Sequence, residues 1–334
     1  MRMRALLLRE QKPVEEGLLS FAELPIPEPG PGQILIRVLA CGVCHTDLHI
    51  AEGDLPLRKS PLVLGHQVVG EVVEVGPGVS RWEKGQRVGL AWLGWTCGTC
   101  KFCQKGQENL CPNAQFTGYT LDGGFAEYVL GYADFAYPLN LPLPPEKIAP
   151  LLCAGIIGFR ALRLSGIEPG GKLGLYGFGA SAHLAIQVAG YWNCDVYVFT
   201  RSQEHKDLAW ELGAKWVGNP TDRPPEELDA AVIFAPAGPI VHEALRSIRP
   251  GGTVVAAGIH MSPIPETPYH LIYGERALRT VANATRRDGL EFLELAAAIP
   301  VEPNVEVYPW REANTVLSSL KTGKIRGSAV LIMD

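Results

Sequence analysis

Four cysteines stand close together in one short segment, with the spacing Cys97-x2-Cys100-x2-Cys103-x7-Cys111. Four thiolates satisfy a tetrahedral zinc ion and leave no open position, which is typical of a structural metal site. The segment from Thr96 to Pro112 is polar and contains glycine, so metal binding would supply its folding energy. Two disulfides, four free thiols or an iron–sulfur cluster are the alternatives for the same residues.

Three further ligand candidates are scattered along the chain, at Cys44, His66 and Cys153. Two thiolates and one imidazole leave tetrahedral zinc with one open corner, which is what a catalytic zinc site needs. No local spacing identifies this set, because each residue stands alone in the sequence. A lone cysteine is often a small buried apolar residue, and a lone histidine indicates little.

A glycine-rich turn reads G-x-G-x-x-A over Gly177-Phe178-Gly179-Ala180-Ser181-Ala182. It follows a predicted strand, Lys172–Tyr176, and opens a predicted helix, which is the context of a dinucleotide-binding turn. Gly177 allows the tight turn, Gly179 lets a pyrophosphate approach, and the small Ala182 allows close helix packing. Ala180 lies at the start of that helix, whose backbone amides would face the phosphates. The alternative is a strand–helix turn without a ligand.

The end of the next predicted strand bears on the choice of dinucleotide, and it reads Val198-Phe199-Thr200-Arg201-Ser202. Enzymes that use NAD usually carry Asp or Glu about 20 residues after the glycine turn, where it binds the ribose hydroxyls. Thr200 replaces that acid here, and the guanidinium of Arg201 suits a 2′-phosphate. The sequence therefore predicts NADP(H) in preference to NAD(H). The alternative is NAD with an Arg201 that is solvated or stacked on adenine.

The secondary structure that the sequence predicts changes near Pro150, from short strands to alternating strands and helices. The first 150 residues hold many short β-branched runs broken by glycine and proline, which is typical of a β-barrel-like domain. Over residues 151–285, strands alternate with helices, which favours a doubly wound parallel sheet. Residues 286–334 are expected to return to the first domain. The sequence thus predicts an α/β protein of two domains.

The zinc-site motifs of medium-chain alcohol dehydrogenases resemble three segments of this chain: Gly42-Val43-Cys44-His45-Thr46-Asp47-Leu48-His49, Gly65-His66 and Leu152-Cys153-Ala154-Gly155. The resemblance covers essentially the whole chain. It implies a GroES-like catalytic domain with a structural zinc lobe at about residues 95–112, joined to a Rossmann domain. It also implies that Cys44, His66 and Cys153 hold a catalytic zinc. The four-cysteine segment would then hold a second zinc rather than an iron–sulfur cluster.

The same resemblance implies a route for the substrate proton. The Thr46 hydroxyl would take it, the cofactor ribose would pass it on, and His49 would release it to solvent. Asp47 would lie behind His66 and fix its tautomer. Taken alone, Thr46 and His49 would be an ordinary helix cap and a surface histidine.

The substrate pocket of this family is lined from segments that correspond here to Trp92, Trp95 and Leu55. These residues predict primary aliphatic or aromatic alcohols and aldehydes rather than charged sugars or amino acids. The alternative is that both tryptophans simply pack, as aromatic residues commonly do.

Two positions depart from the family pattern. Gln67 stands where the family usually has Glu, which puts the charge and ligand exchange at the metal in doubt. Ser328 stands where the terminal motif usually has Arg, and Arg326 lies two positions earlier. An anchoring role for that arginine in cofactor binding therefore does not carry over.

The function that follows is interconversion of alcohols and aldehydes by hydride transfer with NAD(P)(H), using two zinc ions per chain. Another zinc-type dehydrogenase, acting on a polyol, threonine or a formaldehyde adduct, is one alternative. A zinc-free quinone or enone reductase and a non-enzymatic nucleotide-binding protein are the others.

Composition excludes some classes of partner. The 334 residues carry a formal net charge of −5 and no run of Lys or Arg, which argues against nucleic acid or an anionic membrane as a partner. The chain has no apolar run of about 18 residues and no apolar signal-peptide region at its start. We expect a soluble cytoplasmic protein, and the family resemblance suggests a homotetramer or homodimer.

Overall fold

The computed structural model describes residues 1–333, which form eighteen β-strands and ten α-helices. The strands are β1 (Arg2–Leu8), β2 (Leu19–Pro25), β3 (Gln33–Val43), β4 (Leu62–Val63), β5 (Gln67–Val75), β6 (Arg87–Leu90), β7 (Leu93–Trp95), β8 (Gln115–Phe116), β9 (Tyr128–Tyr132), β10 (Ala136–Pro138), β11 (Lys172–Tyr176), β12 (Asp195–Phe199), β13 (Trp216–Gly218), β14 (Leu228–Ile233), β15 (Ile248–Ala256), β16 (Ala277–Thr280), β17 (Val305–Pro309) and β18 (Ser328–Ile332). The α-helices are α1 (His45–Glu52), α2 (Lys101–Gln104), α3 (Pro145–Ile148), α4 (Ala154–Ser165), α5 (Ala180–Tyr191), α6 (Gln203–Glu211), α7 (Ile240–Ser247), α8 (Tyr269–Ile272), α9 (Arg286–Ala298) and α10 (Ala313–Lys321). Short 3₁₀ helices lie at Val14–Glu16, Glu108–Leu110, Ala133–Phe135, Ala149–Leu152 and Trp310–Glu312.

The chain divides into two compact units. The first contains residues 1–153, 285–298 and 303 onward, and the second contains residues 154–284 and 299–302. The sequence predicts boundaries after residues 150 and 285. It gave no sign that the short segment 299–302 belongs to the second unit.

The first unit is built from mostly antiparallel strands around a central strand, β3. One sheet runs in the order β10-β6-β5-β3-β18-β17, with β9 also pairing with β3, and a second runs β2-β1-β4. The side chains of Ile34, Leu35 and Ile36 on β3 are all buried. Successive side chains point to opposite faces, so both faces of β3 are covered there. The tail of the chain returns to this unit, because β18 pairs antiparallel with β3 at Ala329 opposite Val43.

Two strand ends of this sheet carry the first two ligand candidates. β3 ends at Val43, one residue before Cys44, and β5 begins at Gln67, one residue after His66. The two strands pair antiparallel with Gly42 opposite Gln67, so Cys44 and His66 leave the sheet at neighbouring positions. Because a slip of one residue would turn buried side chains to the opposite face, the core fixes this register.

The third candidate lies in the apolar stretch from Leu151 to Leu164, whose spacing in the sequence predicts one helix, and the structure breaks that helix at Cys153. Cys153 stands between the 3₁₀ helix Ala149–Leu152 and α4, which begins at Ala154. The helical stretch Pro145–Ser165 is long and apolar enough to cross a membrane by length and composition, but 72% of its most apolar window is buried inside the protein. Core helices of globular proteins share this composition, and the burial of the stretch matches such a core helix.

The second unit holds one parallel six-stranded sheet in the order β13-β12-β11-β14-β15-β16. Its inner strands are apolar along most of their length, as expected when helices cover both faces of a sheet. The rings of Tyr176 and Phe199 stack within this core with centroids 4.0 Å apart. The strand order reverses at β11, and ligands of such sheets bind at the carboxyl end of the strand where this happens. Gly177 follows β11 directly, so the glycine turn stands at that point.

Candidate active site

Helix α1 begins with a cap that holds the Cys44 sulfur in place. Cys44 is the N-cap residue, and its sulfur accepts a hydrogen bond from the Thr46 backbone amide at 3.4 Å. Asp47 completes a capping box, because its carboxylate accepts a bond from the Cys44 amide at 2.9 Å. Backbone amides and the positive end of a helix dipole both favour a thiolate at this position.

Cys44, His66 and Cys153 come together around the His66 imidazole. Its Nε2 lies 3.4 Å from the sulfur of Cys44 and 3.4 Å from the sulfur of Cys153. All three donor atoms lie within 4.8 Å of one another. A tetrahedral zinc ion with ordinary bond lengths would hold sulfur and nitrogen ligands about 3.5 Å apart. The spacing of the three donors therefore fits one shared zinc ion.

Asp47 links the segments that carry these donors. Its carboxylate is fully buried and accepts a hydrogen bond from the Gly65 amide at 3.2 Å, in addition to the bond from Cys44. It also faces Nδ1 of His66 at 3.3 Å, an ion-pair distance without hydrogen-bond alignment. This contact leaves Nε2 facing the two sulfurs, which is the orientation that a metal-binding histidine needs.

The electrostatics of the cluster also favour a cation. A hydrogen bond from the Cys153 thiol lowers the pKa of Cys44, and His66 lowers it further. Burial would lower the pKa of His66, but Asp47 and the Cys44 thiolate outweigh it and raise that pKa to about 10. These side chains stabilise a thiolate and favour the protonated form of an imidazole. The buried cluster is therefore electronegative and would be stabilised by a cation. Zinc supplies such charge, so the donor set fits it in chemistry as well as in spacing.

The four-cysteine segment forms a separate cluster. Its four sulfurs all lie within 4.8 Å of one another, with 3.5 Å between the sulfurs of Cys97 and Cys111 and 3.5 Å between those of Cys100 and Cys103. These distances exceed a disulfide bond of about 2.05 Å and match ligands of one tetrahedral ion. The alternative of two disulfides therefore does not describe the structure, in which all eight cysteines are free.

The predicted pocket residues lie in different surroundings. The Trp92 ring meets the His66 ring edge-on with centroids 5.2 Å apart, and stacks on Phe116 at 5.0 Å. Trp95 instead contacts Tyr132, with centroids 6.2 Å apart, and Leu55 packs on the apolar core of the first unit. Of the three, Trp92 is the one in ring contact with a donor residue.

The predicted relay residues lie on α1. The Thr46 side chain hydrogen-bonds the Cys44 sulfur and helps to lower the pKa of that thiol. His49 lies one turn further along, and its Nδ1 is 2.7 Å from the carboxylate of Asp54. Sequence reasoning missed Asp54, because an acid five residues after a histidine matches no familiar motif.

The two departures from the family pattern are both buried. The Gln67 side chain lies over Gly42, where an added Cβ would come within 2.5 Å of the Gln67 amide oxygen. Gln67 Nε2 and Ser328 Oγ are buried and have no hydrogen-bond partner among residues 1–333. Neither position carries the charge that the family usually places there.

The glycine turn forms an open cradle at the start of α5. Gly177 has φ +84, and an added Cβ would come within 2.9 Å of the Ala235 backbone nitrogen, so glycine is required. Gly179 is the N-cap residue and offers no capping side chain, while nothing lies within 4 Å of the position of an added Cβ. Ala180 opens the helix, and Ala182 is fully buried against its packing face. The uncapped amides and the space beside Gly179 fit a dinucleotide pyrophosphate.

The strand end after this turn is neutral or basic. Thr200 is buried and donates its backbone amide to the Gly218 carbonyl at 2.9 Å, while Arg201 is exposed. No acid stands at the end of β12 in the described chain.

Two family models match the chain. Residues 30–142 match the alcohol dehydrogenase GroES-like domain, and residues 164–298 match the zinc-binding dehydrogenase domain. A Mycobacterium tuberculosis protein named "Probable alcohol dehydrogenase AdhA" is 44% identical over 337 residues, which cover 99% of this chain and 97% of that protein. The chain belongs to the zinc-type medium-chain alcohol dehydrogenase family.

Other members agree with this assignment. An alcohol dehydrogenase of Geobacillus stearothermophilus is 37% identical over 338 residues, which cover 98% of each chain. A cinnamyl alcohol dehydrogenase of Sorghum bicolor superposes with a TM-score of 0.90 at 28% identity, over 99% of this chain and 98% of that one. The predicted family, the GroES-like and Rossmann fold and the oxidoreductase class are thereby confirmed. The dehydrogenase uses zinc and a nicotinamide cofactor.

Proposed function

We propose that this dehydrogenase interconverts primary alcohols, aromatic ones included, and their aldehydes at the site formed by Cys44, His66 and Cys153. The observation that carries the proposal is the spacing of these donors, with His66 Nε2 at 3.4 Å from both sulfurs. Three protein ligands leave one tetrahedral position for a substrate oxygen, whereas four would close the site. Zinc bound there supplies Lewis-acid chemistry by polarising the oxygen of an alcohol or aldehyde.

The residues around the donors have distinct roles in this proposal. Asp47 orients the His66 ring and keeps the two ligand segments in contact through its bonds to Cys44 and Gly65. The Thr46 hydroxyl takes the proton of the substrate alcohol, and His49 releases it to solvent. Trp92 presents an apolar ring beside His66, which suits an uncharged alkyl or aryl group better than a charged one.

The glycine turn is proposed to hold NADP(H). The pyrophosphate would lie on the amides at the start of α5, in the space left open beside Gly179. Thr200 and Arg201 would face the 2′-phosphate, since the strand end lacks the acid that selects NAD. A nicotinamide dinucleotide held by these residues would supply the hydride acceptor or donor for the reaction.

The four-cysteine cluster is proposed to hold a second, structural zinc ion, giving two per chain. It has no position left for a substrate, and its loop is mostly polar. We also expect a cytoplasmic homotetramer or homodimer.

One experiment tests the proposal as a whole. Zinc content is measured on the purified protein, and initial rates are then recorded for a panel of alcohols and aldehydes with NADH and with NADPH. We expect two zinc ions per chain, highest kcat/KM for primary and aromatic substrates, and a preference for NADPH. Higher activity on a polyol, threonine or a formaldehyde adduct would overturn the substrate class, and a strong preference for NADH would overturn the cofactor choice.

A further inference from the structure

A carboxylate lies against the histidine at the end of the proposed proton route. Asp54 Oδ2 is 2.7 Å from Nδ1 of His49, and 14% of the His49 side chain and 46% of the Asp54 side chain are exposed. We propose that Asp54 is a positioning residue that holds the proton on Nδ1 of His49, so that Nε2 is the atom that accepts the substrate proton. The inference rests on the proposed relay role of His49.

The loop that carries Asp54 is folded back onto His49 itself. α1 ends at Glu52, and the next residue, Gly53, caps it in a left-handed conformation with φ +98. The amides of Gly53 and Leu55 both donate to the His49 carbonyl, at 3.2 and 3.1 Å. Asp54 lies between these two amides in the chain, so its backbone is fixed relative to the imidazole that its side chain contacts.

A glutamine from another segment pins the same loop. Gln11 Nε2 donates to the carbonyls of Ile50 and Leu55, each at 2.6 Å. Its side-chain oxygen accepts a bond from the Leu57 amide at 3.4 Å. The loop is therefore held at three carbonyl or amide groups around Asp54, which distinguishes this carboxylate from a freely moving surface acid.

The negative charge of Asp54 is unfavourable at its position unless His49 offsets it. The carboxyl end of a helix carries a partial negative charge, so an acid just beyond α1 is unfavourable unless a cationic group offsets it. His49 lies in the last turn of the helix, where a positive charge is favourable. Asp54 and His45 are titratable groups that face the His49 ring, and the ring centroid of His45 is 6.3 Å away.

The proton balance follows from the hydrogen bond. In the resting state the Nδ1–H of His49 donates to Asp54, which leaves the Nε2 lone pair available. When Nε2 accepts the proton that leaves the substrate hydroxyl, the ring becomes an imidazolium ion beside a carboxylate. Nε2 then gives that proton to water, and the bond between Nδ1 and Asp54 is unchanged throughout.

The test compares Asp54→Asn and Asp54→Ala with the parent protein in its zinc-loaded form. The imidazole nitrogens of uniformly ¹⁵N-histidine-labelled protein report the tautomer of His49 by NMR, with His49→Gln used to assign its signals. We expect the Nδ1–H tautomer in the parent and a mixture of tautomers in D54A. This readout does not require activity, so it separates failure of the inference from failure of the proposed function.

Kinetics give the second readout. We expect D54A to lower kcat for alcohol oxidation about tenfold with little change in KM, and added imidazole to restore part of the loss. In the H49Q background, D54A should have no further effect. Asp195→Asn is the matched control, since Asp195 also pairs with a cationic side chain at 2.7 Å and is 42% exposed. An unchanged tautomer and an unchanged kcat in D54A, or an equal loss in the Asp195 control, would overturn the proposal.

Discussion

The two sulfur clusters of this dehydrogenase reach similar geometry by different routes. One short loop supplies all four sulfurs of the first cluster, from Cys97 to Cys111. The second cluster takes Cys44 from the start of a helix, His66 from the start of a strand and Cys153 from a break between helices. The cluster from one loop has four protein ligands, so it leaves no metal position for a substrate. The cluster assembled from three segments has three protein ligands, so it leaves one position open.

Their surroundings differ as well. His66 and Asp47 are fully buried and hydrogen-bonded or paired within the first unit, so the three-donor site is organised by the protein core. Three of the four cysteines in the other cluster are only half-buried, in a loop with few regular elements. We infer that the fold shapes the open site, whereas metal binding shapes the closed one.

The largest expected effect comes from Cys44→Ser. It removes one thiolate of the open site, so kcat/KM should fall by about 10³-fold or more, because the loss reaches the Lewis acid itself. Zinc content should fall from two ions to one per chain, and the Tm should change by only a few degrees because the core organises this site. Steady-state rates, metal analysis and a thermal melt measure these three quantities.

Cys41→Ala is the control for that variant. Cys41 is fully buried and lies three residues away, but it is outside the donor set. It should keep both zinc ions and most of the activity. Full activity in C44S, or loss of zinc in C41A to the same extent, would contradict the ligand assignment.

The opposite pattern is expected for Cys103→Ala. Losing one ligand of the closed cluster should release its zinc and lower the Tm by about 10 °C or more, because several kcal/mol of binding energy are lost from the fold. Cleavage by a protease should appear within residues 95–112, while the zinc bound by Cys44, His66 and Cys153 is retained. A melt unchanged from the parent would show that the loop folds without its metal.

This contrast also explains what the sequence could predict. The spacing of Cys97, Cys100, Cys103 and Cys111 is local, so it indicated a metal site directly. The turn after Lys172–Tyr176 could also be predicted from the sequence, since the strand, the glycines and the helix follow one another in the chain. Cys153 is different, because its neighbours predicted a continuous helix from Leu151 and the structure breaks the helix beside it.

Features that depend on long-range contacts could not be predicted from the sequence. Cys153 was assigned by resemblance to a family, and its place beside His66 depends on packing between distant segments. Asp54 was missed because its importance comes from the way the loop after α1 folds back onto His49. Trp92 and Trp95 looked equivalent in sequence, yet one contacts His66 and the other contacts Tyr132.

Gly179→Val should act on the cofactor and leave both sulfur clusters intact. The added side chain would fill the open space beside the start of α5, so KM for the dinucleotide should rise roughly 100-fold with zinc content unchanged. Fluorescence titration with NADPH and metal analysis test the two statements. Gly190→Ala on the same helix is the control, since an added Cβ also meets open space there. Equal cofactor affinity in the two variants would remove the turn from the site.

The smallest expected effect is a change of cofactor preference in Thr200→Asp. A carboxylate at the end of β12 would repel a 2′-phosphate and accept bonds from the ribose hydroxyls. The ratio of kcat/KM for NADPH to that for NADH should therefore fall about tenfold, with both zinc ions retained. Thr200→Ser keeps a hydroxyl and should leave the ratio near that of the parent. An unchanged ratio in the aspartate variant would place the selection of the cofactor elsewhere.

Diffraction data collected just above and just below the zinc absorption edge test the comparison most directly. The account predicts two anomalous peaks per chain: one bonded to the sulfurs of Cys44 and Cys153 and to Nε2 of His66 with a fourth ligand from outside the protein, and one enclosed by four thiolates. A missing peak at the first position, or a protein side chain closing its fourth corner, would contradict the claim that this chain builds an open metal site for hydride chemistry.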